Sequence, residues 1–160
     1  MEYNSASLTA RGDAMAIRFS GEFAVKRKRE EVYHFLTDPN RFAPLLPDYQ
    51  GMTIQDEAHF AVKVKVGVSY IRGTADVKLT LEKISNPSHA LYKGEAHLPG
   101  GGAHITAAFD LSELPEGTRV GWTGEAQVFG KLASLAGGLL DPVAKKNLQK
   151  LIDGLQAALA

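Results

Sequence analysis

The fold is decided by the stretch MAIRFSGEFAV, residues 15–25, and by KRKREEVYHFLTDPNRFAPLLP, residues 26–47, which follows it directly. The hydrophobic period changes between the two. From Met15 to Val25 every second residue is apolar or glycine, which predicts a half-buried β-strand. Val32, Phe35 and Leu36 are then spaced i, i+3 and i+4, which predicts a short amphipathic helix. The chain therefore changes from strand to helix within the first quarter of its length.

A second short helix is expected immediately after the first. Asp38 followed by Pro39 has the pattern of an N-cap residue and a proline at the first helical position. This helix would carry Phe42, Leu45 and Leu46 and end before Pro47. Two short helices in tandem thus separate the first strand from the rest of the chain.

The middle of the chain is a long series of alternating segments that predicts about six antiparallel strands. Residues 59–68 place valines at even positions, whereas residues 75–81 place apolar residues at odd positions. Because a strand alternates with period two, this change requires a turn or bulge, which we place between Gly67 and Gly73. Three further alternating segments end at Leu98, Leu111 and Val128.

The C-terminal stretch from Pro142 to the end has apolar residues at helical spacing and predicts one long helix. The predicted class is α+β, with a curled antiparallel sheet of six to seven strands, two short helices after strand one and a long C-terminal helix over the sheet. Such a layout leaves an apolar cavity between sheet and helix. Residues 1–13 are predicted to be a polar N-terminal tail, and residues 14–160 a single ligand-binding domain.

Composition excludes several classes of function. The 160 residues carry 18 Lys plus Arg and 18 Asp plus Glu, and this neutral balance argues against nucleic acid as a partner. The absence of cysteine excludes disulfides, thiol nucleophiles and iron–sulfur clusters. The longest apolar run near the C-terminus, Leu132–Leu140, is far shorter than the about 20 residues of a membrane-spanning helix, so no transmembrane segment is expected.

The inward positions of the predicted strands and helices supply candidate residues for a ligand cavity. Small residues recur among these positions (Gly94, Ala96, Ala103, Ala107, Gly124 and Ala126), and they leave room that larger side chains would fill. Tyr70, Arg72, Tyr92 and Trp122 carry polar groups that would orient a ligand. The candidate lining residues are Phe35, Phe42, Val64, Val66, Tyr70, Arg72, Val77, Leu79, Tyr92, Ile105, Phe109, Trp122, Leu135, Leu139, Val143 and Leu148. The alternative is that these residues form an ordinary filled core.

Neither a catalytic nor a metal site is predicted. His97 and His104 fall on the polar face of their strands, and the five histidines lack the close spacing of metal ligands. Glu22, Glu95 and Glu125 likewise fall on outward positions, where carboxylates pair across a sheet rather than act as acids or bases. No intrinsic cofactor is expected.

Several short motifs, in this order, resemble one known family. They are FSGEF at Phe19–Phe23, LTDP at Leu36–Pro39, LPD at Leu46–Asp48, GEA at Gly124–Ala126 and GKLASLAGGLL at Gly130–Leu140. The chain resembles the START-like or helix-grip (SRPBCC, polyketide cyclase–Bet v 1-like) superfamily. Within it, the chain is similar to the carbon monoxide dehydrogenase G-subunit (CoxG) family, from about Met15 onwards.

This resemblance implies non-catalytic binding of a lipid- or quinone-like molecule by an accessory protein. The partner would be an aerobic carbon monoxide dehydrogenase or a related molybdenum hydroxylase, and the location cytoplasmic with peripheral contact at the inner face of the membrane. The glycine-rich apolar segment is a candidate gate or membrane contact through Leu132, Leu135, Gly137, Gly138 and Leu140. Two alternatives stay open: a cyclase or dehydratase that uses Arg72 or Tyr92 in the same cavity, and a pure protein-interaction module.

Overall fold

The computed structural model describes residues 2–11, 14–68, 71–85, 87–98, 100–131, 133 and 141–160. In chain order its elements are β1 (Glu2–Arg11), β2 (Ala14–Val25), α1 (Arg29–Leu36), α2 (Pro39–Phe42), a 3₁₀ turn (Ala43–Leu45), β3 (Tyr49–Ile54), β4 (His59–Val68), β5 (Ile71–Ser85), β6 (His89–Leu98), β7 (Gly101–Leu114), β8 (Gly117–Gly130) and α3 (Asp141–Ala158).

The described strands form one curled antiparallel sheet in the order β1-β2-β8-β7-β6-β5-β4-β3. Each strand from β3 to β8 lies beside its neighbours in sequence, and β2 closes the series by pairing with β8. The predicted class, with seven strands from β2 onwards, two short helices after the first of them and a long C-terminal helix, is therefore confirmed.

The N-terminal residues differ from the expectation of a polar tail. Glu2–Arg11 forms β1, which pairs with β2 and adds an eighth strand at the edge of the sheet. The sequence signal for this strand is weak: Ala6, Leu8 and Ala10 alternate with Ser5, Ser7 and Thr9, but the residues are mostly small and the register shifts between Asn4 and Ser7. An edge strand is held mainly by backbone hydrogen bonds.

The two short helices form where the sequence predicted them, but the second ends at Phe42 and continues as the 3₁₀ turn Ala43–Leu45, which leaves Leu46 outside it. α1 buries Val32, Tyr33 and Leu36 and ends where the Thr37 hydroxyl donates to the Tyr33 carbonyl oxygen at 2.7 Å. In α2 the Asp38 carboxylate accepts a hydrogen bond from the Asn40 backbone N–H at 3.0 Å, with Pro39 at the first position, so the predicted cap is confirmed. Local side-chain hydrogen bonds thus fix the C-terminal end of α1 and the N-terminal end of α2.

Tight hairpins set which side chains face inward. Val68 pairs with Ile71 across a two-residue connection, and the register continues to His59 opposite Thr80. Because the pairing joins even positions of β4 to odd positions of β5, it accounts for the change in apolar parity without a bulge. The predicted turn between Gly67 and Gly73 is confirmed.

The core lies between the inner face of the sheet and the three helices. From the sheet it includes Phe19, Phe23, Phe60 and Val120, and from α3 it includes the buried Ile152, Leu155 and Leu159. α3 packs against β2 and the 3₁₀ turn, where Gly154 lies beside Leu45. The helix is therefore anchored at its C-terminal half.

Candidate functional site

One half of the inner face is filled by an aromatic cluster. The Phe42 ring from α2 stacks on Tyr92 of β6, with ring centroids 5.3 Å apart and planes 15° apart. Phe109 meets Phe42 edge-on at 5.9 Å, and Phe60 meets Tyr92 edge-on at 6.1 Å. These are the stacked and edge-to-face arrangements that aromatic quadrupoles favour. The helices α1 and α2 thereby close this end of the space beneath the sheet.

The Tyr92 hydroxyl is part of this closure. It donates a hydrogen bond to the Leu36 carbonyl oxygen at the end of α1. Burial, and to a lesser extent the Asp38 charge and Tyr33, raises the pKa of the Tyr92 phenol, so that the hydroxyl stays protonated and acts as a donor. The hydroxyl therefore links β6 to α1. Because its proton is already donated to Leu36, it is not available to orient a ligand.

The other half of the inner face is only half-buried, and we call it the apolar hollow. Strand register places its members side by side: Leu79, Ile105 and Ala126 lie in one row across β5, β7 and β8, with Gly94 of β6 between the first two. Its six defining residues are Val77, Leu79, Ile105, Ala107, Gly124 and Ala126, all of them intermediate in burial. The hollow presents apolar side chains over a floor of small residues.

Glycines determine the shape of the hollow in two ways. A Cβ atom at Gly124 would have no described atom within 4 Å, so the inner face is open at this position. A Cβ at Gly94 would instead lie 2.8 Å from Leu79 Cδ2, because the Leu79 side chain lies across this glycine. Gly94 thus allows Leu79 to lie flat against the sheet, and Gly124 leaves space beside it.

The burial of α3 increases from its N-terminal end to its C-terminal end. Ile152 and Leu155, at 2% and 1% exposure, are fully packed, whereas Val143, Leu148 and Leu151 nearer the N-terminus of the helix are half-buried. The C-terminal half of the helix is therefore packed more closely than its N-terminal half. This makes the N-terminal end of α3 the more accessible side.

The candidate lining residues fall into separate groups. The buried core takes in Phe42, Tyr92, Phe109 and Trp122. The half-buried group comprises Phe35, Val64, Val66, Val77, Leu79, Ile105, Val143 and Leu148. Arg72 is exposed. Tyr70, Leu132, Leu135, Gly137, Gly138, Leu139 and Leu140 lie outside the described residues, and this includes every residue of the candidate gate.

Three residues of the hollow were not among the candidate lining residues. Ala107, Gly124 and Ala126 carry little side chain, and sequence reasoning noted only that such residues leave room. Their signal is that they occupy inward positions of β7 and β8, where a filled core would place large side chains.

The outer face of the sheet carries the paired charges that the alternation predicted. Arg18 and Glu125 form an ion pair at 3.0 Å between β2 and β8, and Arg119 and Glu22 approach to 4.0 Å between the same strands. Within the described ranges, no group of three or more His, Asp or Glu side chains is arranged to hold a metal ion. Among the described helices, none combines the length and the apolar character needed to cross a bilayer.

The fold defines the class of protein. The structure is similar to a conserved protein from Geobacillus kaustophilus, with a TM-score of 0.78, 21% identity and coverage of 89% of this chain and 94% of that one. It is also similar to a STAR-related lipid transfer protein from Xanthomonas axonopodis, with a TM-score of 0.59, 16% identity and coverage of 98% and 99%. The fold is therefore the START-like helix-grip fold.

The same fold occurs in the di-domain ARO/CYC protein StfQ of the steffimycin biosynthetic pathway, with a TM-score of 0.59 and 13% identity over 90% of this chain and 51% of that one. Residues 21–160 match the carbon monoxide dehydrogenase G-subunit family, CoxG. The chain belongs to the CoxG family. No curated protein sequence matches it at a significant level.

Proposed function

We propose that the chain binds a lipid- or quinone-like molecule in the apolar hollow and does so without catalysis. The observation that carries the proposal is the open inner face at Gly124, between half-buried apolar side chains. Apolar pockets that bury most of a ligand are typical of small-molecule sites. The lipid transfer protein that shares the fold supports the same class of ligand.

The alternative of a cyclase or dehydratase has less support from the residues. The StfQ similarity favours it at the level of the fold. However, the Arg72 side chain is exposed, and the Tyr92 hydroxyl is engaged by the Leu36 carbonyl oxygen. The six residues of the hollow supply neither an acid nor a base, and catalysis of this kind requires one within hydrogen-bond reach of the substrate.

The test of ligand binding uses two glycines of the same strand. Gly124→Leu places an isobutyl group in the hollow, whereas Gly121→Leu places it on the outer face, where a Cβ meets only Asp110 atoms at 3.7 Å and beyond. We expect Gly124→Leu to weaken binding of a long-chain fatty acid or a prenylated quinone by at least about tenfold, equivalent to 1.4 kcal/mol. Gly121→Leu should leave the affinity unchanged.

Titration with a fluorescent fatty acid, and native mass spectrometry of the purified chain, give the readout. Equal affinities for the two variants, or a wild-type chain that binds neither probe, would contradict the proposal. Circular dichroism shows whether each variant keeps its fold. We expect both to do so, because each replaces a glycine in a strand by a residue that strands accommodate.

The family supports a role as an accessory protein for an aerobic carbon monoxide dehydrogenase or related molybdenum hydroxylase, and we include this role in the proposal. Peripheral contact with the cytoplasmic face of the membrane, through Leu132–Leu140, completes it. Co-sedimentation with lipid vesicles, compared between the wild type and a Leu135→Asp, Leu139→Asp variant, tests the contact. Equal sedimentation of the two proteins would remove this segment from the proposal.

A further inference from the structure

A second concave surface lies on the opposite, outer face of the sheet. It is a groove of about 680 Å³ that crosses β3 to β7. Strand register places Lys78 opposite Glu95 and Glu95 opposite His104, all on the outer face. The polar residues that line the groove are Thr53, Gln55, His59, Lys78, Thr80, Lys93, Glu95, His104 and Thr106.

The charges in this groove leave one ammonium group without a counter-ion. Glu82 holds Lys93 at 3.5 Å, and Glu95 approaches His104 at 4.0 Å. In the described part of the chain, Lys78 has no carboxylate within this range. An exposed ammonium group beside the hydroxyl-bearing Thr80 supplies the charge and the donors that an anionic group requires.

The nearby Asp56 carboxylate is also occupied by other partners, so it does not serve as a counter-ion for Lys78. The Asp56 carboxylate lies 2.9 Å from His59 Nδ1, at hydrogen-bond distance. It also accepts hydrogen bonds from the backbone N–H groups of Ala58 and His59. The pKa of the Asp56 carboxyl is lowered, and the largest cause is the hydrogen bond with the His59 side chain. This carboxylate is therefore committed to the turn between β3 and β4 rather than to Lys78.

An exposed aromatic surface borders the other end of the groove. Phe129 is 36% exposed and, with Ile54, is one of the two large exposed apolar side chains of the described residues. Its ring lies 5.3 Å from the His104 ring, at an angle of 46°. It also covers Gly102, where a Cβ would approach Phe129 Cε2 to 2.9 Å. Phe129 is thus held in place while one side of its ring faces solvent.

The spacing of Lys78 and His104, with Phe129 on the next strand beside His104, sets the length of the ligand. Lys78 and His104 are separated by one intervening strand, which corresponds to about 10 Å across the sheet. We propose that the outer-face groove binds a flat aromatic ring that carries an anionic group, of mononucleotide size. The ring packs on Phe129 and His104, and the anion pairs with Lys78. The groove also touches Leu79 and Ile105, whose side chains belong to the hollow on the opposite face of the sheet, whereas Gly124 does not line it.

The test separates the two halves of the ligand. Adenosine monophosphate carries both features, adenosine only the ring and inorganic phosphate only the anion, and all three are titrated into the full chain by NMR. We expect Lys78→Gln to weaken binding of the monophosphate and of phosphate by about tenfold, a charge-assisted contact. Binding of adenosine should not change. Phe129→Ala should weaken the monophosphate and adenosine but leave phosphate unchanged.

Matched controls guard against general effects of charge and exposure. Lys63→Gln removes an exposed lysine of β4 that lies outside the groove, and Ile54→Ala removes the other large exposed apolar side chain. Both should leave the affinity for the monophosphate unchanged. Glu95→Gln, in contrast, removes a repelling carboxylate and should strengthen it.

Three results would overturn the site: no shift of the Thr80, His104 or Thr106 resonances, equal losses in Lys78→Gln and Lys63→Gln, or weaker binding by Glu95→Gln. Gly124→Leu should bind the monophosphate as the wild type does. Its outcome therefore distinguishes failure of the groove from failure of the apolar hollow.

Discussion

Replacing Phe42 by alanine is expected to lower the free energy of unfolding by about 3–5 kcal/mol, the range for a buried Phe→Ala substitution. Phe42 is 6% exposed and contacts two other rings, Tyr92 and Phe109, from the opposite side of the core. The substitution removes the ring that joins α2 to the sheet and leaves a cavity that the rigid strands cannot close.

The matched control for this prediction is Phe129→Ala, which removes the same atoms from the outer face. Because Phe129 is 36% exposed, its truncation should cost about 1 kcal/mol or less. Urea denaturation followed by circular dichroism gives both values. If the two variants lost the same stability, the aromatic cluster would not be the structural centre of the core.

Replacing Gly117 by alanine is the second substitution with a large expected effect on stability. A Cβ atom at Gly117 would lie 2.0 Å from the Val25 carbonyl oxygen and 2.8 Å from Lys26 Cα. Both neighbours are backbone atoms and have no rotamer through which to retreat, so β2 and β8 must separate at this point. We expect a loss of about 2–4 kcal/mol, at the upper end of overpacking costs.

The buried Thr118 makes this separation more costly. Its hydroxyl donates to the Arg27 carbonyl oxygen at 2.8 Å, and the residue is fully buried. Displacement of the backbone weakens this bond and leaves a buried donor without its acceptor. Gly121→Ala, on the same strand, meets only contacts of 3.7 Å or more and should be neutral within about 0.5 kcal/mol. Coincident denaturation midpoints for the two alanine variants would contradict this account.

The sequence predicts most of the fold because local periodicity determines it. The alternation in β4 and β5, the helical spacing around Val32 and the Asp38–Pro39 cap each act within a few residues of the chain. β1 is the exception, since its partner is the free edge of β2 and its alternation is short and built mostly from small residues, Ala6, Leu8 and Ala10 against Ser5, Ser7 and Thr9. Pairing of this kind depends on the rest of the sheet and not on the segment itself.

The candidate site is predictable only in part, for a different physical reason. Phe109 and Ile105 lie on the same strand, face the same side and have the same sequence pattern, yet Phe109 is buried in the core and Ile105 is half-buried. The difference comes from α2, which places Phe42 against Phe109. Periodicity shows which face of a strand points inward, whereas the packing of distant elements decides where the interior is filled.

The unequal packing of the inner face assigns stability and ligand preference, two requirements that usually compete, to different sets of residues. Removal of a side chain in the aromatic cluster forfeits many close contacts, whereas exchange of Leu79, Ile105 or Ala126 alters surfaces that are already partly open. Substitutions around the hollow should therefore change the free energy of unfolding little, so the surroundings of the proposed ligand can change one residue at a time. A single scaffold of this kind can diverge in ligand preference while its folding remains almost unchanged.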